Sequence, residues 1–194
     1  MSLSDDVLAH VVQRLWWRLG TVEPGLDDDE IERVVAAVGA PLPRQFELFL
    51  RSGLPVGERW WNWPADPAGV VAGSRQWLRR TLAFGVVHRD YWQPSFGDRP
   101  SCIDTAVEQA WSVIETLPPL LPLYAHRCVV ADGIEPSPVL SVWQFDDTIP
   151  YGTDLIDWIG REFDIRPDTY DAPAMRDIAG WSAAFDLNFD ADAL

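Results

Sequence analysis

His126 and Cys128, separated by Arg127, could form a pair for nucleophilic catalysis. A histidine beside a cysteine can take the thiol proton and leave a thiolate nucleophile. Residues two apart on a strand point to the same side, however, so strand alternation alone explains this spacing. We therefore predict a structural role for His126 rather than a catalytic or metal-binding one. Arg127 is interpreted as an ion-pair anchor, because a guanidinium can bind a carboxylate through two hydrogen bonds.

Asp146 and Asp147 are adjacent carboxylates that could perform acid–base chemistry, and Asp154 follows them closely. Such pairs catalyse reactions when their surroundings separate the two pKa values. Neighbouring aspartates on a strand face opposite sides, and at a strand end they more often form turns or cap the backbone. The three aspartates also lack the spacing of a calcium loop. We predict no catalytic residue, no metal and no cofactor; a small hydrolase using Asp146, Asp147 and His126 is the least favoured alternative.

The net charge separates the possible classes of partner. The chain carries 30 acidic and 15 basic residues, a formal charge of -15. This charge repels phosphate backbones and anionic membranes, which disfavours nucleic-acid and membrane partners. It would also speed association with a basic protein. The alternative is that acidic charge only keeps the protein soluble. The N-terminus has aspartates where a secretory signal carries lysine or arginine, so we expect a cytoplasmic protein.

The elements that position these residues are concentrated in the second half of the chain. Short runs rich in β-branched and aromatic residues predict strands at 121–124, 128–130 and 139–143, and Thr153 is the predicted cap of a following helix. Apolar residues at helical spacing predict the remaining helices, at about 5–19, 27–38, 44–52, 74–84, 104–117 and 175–185. Helices, then consecutive strands, then helices indicate an α+β fold, in one domain over 1–194.

Aromatic residues and cysteines give two further predictions. Trp60, Trp61 and Trp63 form either an exposed partner-binding loop or a buried one. Burial is favoured, because a domain with eleven tryptophans cannot expose many of them without aggregating. Residue type and loop location nevertheless select one candidate partner surface, consisting of Trp60, Trp61, Trp63, Tyr91 and Trp92 with the acidic neighbours Asp66 and Asp146. The two cysteines, Cys102 and Cys128, are predicted to be buried thiols.

Several short motifs, in this order, resemble those of the SUKH superfamily, which includes fungal cell-wall-assembly regulators and many bacterial immunity proteins. They are Pro-Leu-Tyr-x-His-Arg from Pro122, Pro-Val-x-Ser-Val from Pro138, Tyr-Gly-x-Asp-Leu from Tyr151, and Glu162-Phe163. Pro150 departs from the family pattern, and because proline removes a ladder donor, its strand is predicted to be an edge or to end early. The resemblance implies structural roles for Pro122, Tyr124, His126, Arg127, Pro138, Val139, Ser141, Val142, Asp147, Tyr151, Gly152, Asp154, Leu155 and Phe163.

The resemblance also implies a fold and a class of function. It implies a central, mostly antiparallel sheet flanked by helices, with N-terminal helices at 1–39, the family core at 40–185 and a frayed acidic tail at 186–194. Family members bind proteins without catalysis, and bacterial ones commonly neutralise a toxin. The leading hypothesis is an immunity-type protein that occludes a basic, nucleic-acid-acting toxin. The alternative is a regulator or scaffold similar to the cell-wall branch. The oligomeric state stays open.

Overall fold

A four-stranded antiparallel meander forms the centre of the fold. The computed structural model describes residues 3–167, 170–178 and 180–185. The strands follow one another in the sheet in chain order and are β3 (Leu120–Tyr124), β4 (Arg127–Val130), β5 (Val139–Val142) and β6 (Thr148–Gly152). A separate pair, β1 (Val22–Glu23) and β2 (Leu54–Pro55), is also antiparallel. The predicted α+β class is confirmed, and β6, which contains Pro150, is an edge strand as predicted.

Seven helices surround these strands in the described part of the chain. They are α1 (Leu3–Leu19), α2 (Asp28–Val38), α3 (Arg44–Ser52), α4 (Pro67–His88), α5 (Ile103–Ile114), α6 (Leu155–Phe163) and α7 (Trp181–Phe185). Among the described residues, no helix has the length and apolar character needed to cross a bilayer. The predicted acidic tail, 186–194, lies outside the described residues.

Local signals explain where several helices begin. The Asp27 carboxylate accepts a hydrogen bond from Glu30 N, and the Glu30 side chain accepts one from Asp27 N, so the predicted capping box of α2 is confirmed. Helix α4 begins at Pro67, seven residues earlier than predicted, because Asp66 caps it by accepting from Gly69 N at 2.9 Å. The predicted Thr153 cap of α6 is wrong.

Helix α6 is capped by Asp154, whose carboxylate accepts from Asp157 N at 2.8 Å. The last helix is shorter than predicted and begins at Trp181, so Met175 and Ile178 precede it. Cys128 is buried as predicted, whereas the prediction for Cys102 is wrong because this residue is exposed at the start of α5. Which residue caps a helix, and which residue at its start is exposed, depend on the contacts of side chains with the backbone. The periodicity of apolar residues does not encode these contacts.

The meander is buried on both faces, which separates the interior into two cores. Strand alternation directs Val129 and Val139 into the first core, where α1, α3 and α6 contribute Leu15, Phe46 and Trp158. It directs the intervening residues into the second core, whose members from the sheet and the helices include Cys128, Val130, Leu140, Val142, Leu82, Ala110 and Trp181. Because both faces are covered, solvent reaches the sheet at its edges and strand ends.

Candidate protein-binding surface

Arg127 is the centre of a polar cluster at one end of the sheet. Its Nε donates to Glu162 Oε2 of α6 at 3.2 Å, and its Nη1 donates to Ser141 Oγ of β5 at 2.7 Å. The guanidinium carbon lies 3.8 Å from the ring centroid of Tyr151 on β6. The Arg127 and Glu162 side chains are 12% and 16% exposed, so this ion pair is largely desolvated. The predicted role of Arg127 as an ion-pair anchor is confirmed.

The motif residues at the start of α6 form a second polar cluster, which is buried. The Asp154 carboxylate accepts from Gln45 Nε2 at 3.1 Å and from the Tyr170 hydroxyl, while Gln45 Oε1 accepts from Leu155 N at 2.9 Å. Burial, and then the hydrogen bond to Asp154, raise the pKa of Tyr170. Residue 152 must be glycine here, because a Cβ would lie 2.9 Å from that of Trp158. These residues fix α6 against the sheet.

The tryptophan-rich segment lies along the outer edge of β3. Trp60 forms an antiparallel bridge with Tyr124, and Trp63 Nε1 donates to Pro122 O at 3.1 Å. Trp61 Nε1 donates to Ala125 O at 3.2 Å. Trp63 is only 2% exposed and belongs to the first core, so its assignment to a partner surface is wrong. Trp60 and Trp61 are partly buried against the same core, which agrees with the burial alternative.

Tyr91 and Trp92, two further members of the predicted surface, pack against the second core. The Tyr91 hydroxyl donates a hydrogen bond to Ala184 O. The rings of Tyr91 and Trp92 both pack edge-on against Phe96. Asp146 is paired with Arg89 at 3.0 Å and its side chain is 12% exposed, while Asp66 serves as the cap of α4. The predicted surface is therefore divided between the two cores, and most of its members have contacts within the chain.

The candidate nucleophilic pair is not in a reactive state. Cys128 is 2% exposed, and burial raises the pKa of its thiol to about 12, so it is protonated at neutral pH. Burial, and then the positive charge of Arg127, lower the pKa of His126. Residues 3–167, 170–178 and 180–185 contain no group of three or more His, Cys, Asp or Glu side chains arranged to hold a metal. These positions assemble neither a thiolate nor a metal centre.

Exposed apolar side chains flank the turn Phe145–Asp147, which connects β5 to β6. Trp143 is 60% exposed and packs edge-to-face against His126, with ring centroids 5.0 Å apart. Ile149 on β6 is 51% exposed. On the other side of the turn, Arg89 pairs with Asp146 and lies 5.4 Å from the ring centroid of Phe84. We define the connector surface as the exposed side chains of Phe84, Val87, Trp143, Asp147 and Ile149.

Most of the connector surface was missed in the sequence. Trp143 was included in the predicted third strand and not assigned to a surface. The available signal was position: Trp143 follows the buried Val142, and a residue that extends beyond the strand end has fewer neighbours to cover it. Ile149 adjoins Pro150 on an edge strand, where one side of the strand has no pairing partner among the described residues.

The fold and the surface together define an α+β protein with a solvent-exposed aromatic contact region and a largely desolvated polar cluster beside it. Exposed aromatic side chains with charged neighbours are common in protein-binding sites. Comparison of the chain with protein-family models, with curated proteins and with solved structures gave no match.

Proposed function

We propose that this chain is a SUKH-like, immunity-type protein that binds a basic, nucleic-acid-acting toxin domain and neutralises it by occlusion, without catalysis. One observation carries the proposal. Motif residues from four separate segments, among them His126, Ser141, Tyr151 and Glu162, meet around the Arg127 guanidinium. A set of residues recognised in the sequence as one pattern is expected to act as one structural unit, and this convergence supports the resemblance.

The connector surface is the proposed contact region. Tryptophan dominates the energy of many protein interfaces, because a large rigid ring buries much area at a small entropic cost. Trp143 has such a ring, 60% exposed and held by the edge-on contact with His126. Below it, the Arg127 cluster fixes the strand ends, so the ring is presented on a rigid base. A pre-organised surface loses less entropy on binding.

The charge distribution supports a basic partner. All 15 basic residues of the chain are arginines, and most of them pair with carboxylates of the chain itself. The acidic surplus therefore lies on exposed residues such as Asp29, Glu32, Glu58 and Asp147. An acidic field of this kind attracts a basic toxin and accelerates its encounter with the surface.

Rescue of growth tests the proposal. The probe is a candidate basic toxin domain, sought first in the gene next to that of this protein, and it is expressed with and without the full chain. We expect the chain to restore growth and the purified pair to bind, with an affinity that decreases as salt screens the charges. Absence of both rescue and binding at low salt would refute the proposal. A deletion phenotype in a strain without the toxin would instead favour the regulator or scaffold alternative.

A further inference from the structure

An open groove beside helix α1 combines an exposed tryptophan with two arginines. It has a volume of about 700 Å³ and lies between the last turns of α1 and the segment that follows α6. Its lining residues are Gln13, Arg14, Trp17, Arg18, Asp164 and Ile165. Trp17 is 84% exposed, more than any other large apolar side chain among the described residues. No member of the connector surface lines this groove, so it is a separate site.

Backbone carbonyls, rather than carboxylates, hold the two groove arginines in place. Arg18 Nη1 donates to Phe163 O at 2.7 Å, and Arg14 Nη1 donates to Arg166 O at 3.4 Å. Neither groove arginine forms an ion pair with a described residue, whereas most of the other arginines do. A guanidinium has five N–H donors, so both side chains keep most of theirs for a ligand.

The groove and the ion pairs connected to it carry an excess of positive charge, although the chain as a whole is acidic. Arg161 and Arg166 both pair with the carboxylate of Asp157, at 2.8 and 3.0 Å, and this carboxylate is 1% exposed. With the two groove arginines and Asp164, four arginines are balanced here by two aspartates. Exposed charges more than about 8 Å apart are largely screened at physiological salt. The local excess therefore decides what binds here, rather than the net charge of -15.

The lining residues favour one class of ligand. Guanidinium groups bind carboxylates in a matched, often bidentate geometry, and an exposed indole ring offers an apolar face to an aromatic or aliphatic side chain. Tryptophan and arginine are also the residue types that dominate the energy of protein interfaces. Sites for small molecules enclose most of their ligand, which an open groove does not do. A nucleic-acid strand needs a longer track of positive charge than two arginines on one helix.

We propose that this groove binds an acidic peptide segment of a second partner protein. Carboxylates of the segment pair with Arg14 and Arg18, and one of its apolar side chains packs on the ring of Trp17. The proposal does not depend on toxin binding, because the groove and the connector surface share no residue. The excess of positive charge at the groove repels a basic toxin, so the two sites select partners of opposite charge. The chain then connects two different proteins.

NMR of the full chain tests this site with the peptide Glu-Glu-Phe-Glu-Glu as the probe. The matched control, Gln-Gln-Phe-Gln-Gln, has the same length and ring but no charged side chain. We expect saturable shifts of the Trp17 indole N–H with the acidic peptide, and about tenfold weaker binding of the control, as for the loss of two exposed ion pairs. No saturable binding of the acidic peptide at low salt, or equal binding of both peptides, overturns the proposal. Tighter binding of a five-nucleotide oligothymidine overturns the choice of a peptide.

Matched variants locate the binding on the chain. Trp17→Ala, and Arg14→Gln combined with Arg18→Gln, should each weaken binding of the acidic peptide about tenfold. The controls are Trp143→Ala, a second exposed tryptophan, and Arg80→Gln, an exposed arginine of α4 outside the groove. Both controls should leave the affinity within about twofold, since they remove the same chemistry elsewhere. Circular dichroism checks that every variant is folded, and equal losses for the groove variants and their controls overturn the assignment.

Discussion

The two edge strands of the meander, β3 and β6, differ in how far other parts of the chain cover them. At the β3 edge, the segment 59–63 lies along the strand, Trp60 bridges Tyr124 and Trp63 is 2% exposed. At the β6 edge, the described residues place no further strand; Pro150 removes one backbone donor, Ile149 is 51% exposed and the nearby Trp143 is 60% exposed. The β3 edge is covered by tryptophans, whereas the β6 edge is uncovered and has one exposed tryptophan nearby.

The comparison shows what clustered and isolated tryptophans do in this chain. An unpaired strand edge invites association, and natural proteins cover it or disrupt it. The three clustered tryptophans cover an edge, so their rings are used for packing and their indole N–H groups for hydrogen bonds to the neighbouring backbone. The isolated Trp143 stays in solvent beside a proline-containing edge. Binding is therefore assigned to the open edge, and stability to the closed one.

The largest expected effect is at the closed edge. Trp63→Ala removes a buried ring and its hydrogen bond to Pro122 O, and should lower the free energy of unfolding by about 4 kcal/mol. Trp143→Ala, the same exchange at the exposed tryptophan that follows β5, should change it by less than about 0.5 kcal/mol. Urea denaturation of both variants measures the difference. Equal losses would remove the contrast between the edges.

The Arg127 cluster should give the next largest effect. Arg127→Ala leaves Glu162, whose side chain is 16% exposed, without its cation, and should cost about 3 kcal/mol of unfolding free energy. The matched control is Arg75→Ala, which breaks the exposed pair with Glu115 and should cost less than about 1 kcal/mol. The same denaturation experiment compares them. A cost for Arg127→Ala no greater than that of the control would mean that solvent already screens the cluster.

Binding should distinguish two exposed tryptophans. Trp143→Ala should weaken binding to the toxin domain by about 2 kcal/mol, roughly 30-fold, because it removes the largest ring of the connector surface. Trp17 on α1 is 84% exposed and lies outside that surface, so Trp17→Ala should leave the affinity within about twofold. Titration calorimetry measures both. A larger loss for Trp17→Ala would move the contact region to α1.

The smallest effect concerns pH at His126, which lies in the turn between β3 and β4 and contacts Trp143. Burial, and then Arg127, lower the pKa of His126 in the native state below its ordinary value. As pH falls through that ordinary value, the unfolded chain takes up the proton first, so the native state loses stability. The wild type should therefore lose more unfolding free energy than His126→Gln between about pH 7 and about pH 5. Equal losses would show that His126 does not contribute to the acid sensitivity.

Local patterns account for the parts of the fold that the sequence predicts well. The capping box at Asp27 and Glu30, the three strands and the apolar face of α6 each depend on residues within a few positions of one another. The position of the segment 59–63 could not be predicted in this way, because it is fixed by contacts of Trp63 with Pro122 and of Trp61 with Ala125, which are 59 and 64 residues away. The number of tryptophans in a segment does not predict which of their rings pack against a neighbouring strand.

The candidate site was predictable only in part for the same reason. Arg127 was predicted to bind a carboxylate because guanidinium chemistry is independent of the fold. The exposure of Trp143 and Ile149 follows instead from where β5 ends and from the position of β6 at the sheet edge, which are properties of the assembled meander. Asp66 and Asp146 were assigned to a surface by charge, but the structure uses one as a helix cap and pairs the other with Arg89.

Hydrogen–deuterium exchange of the chain with and without the toxin domain tests the account most directly. A bound partner slows amide exchange where it covers the backbone. We predict slower exchange in peptides covering 143–149 in the complex and unchanged exchange in peptides covering 59–63, which are already packed along β3. Slower exchange at 59–63, with 143–149 unchanged, would contradict the assignment of binding to the open edge.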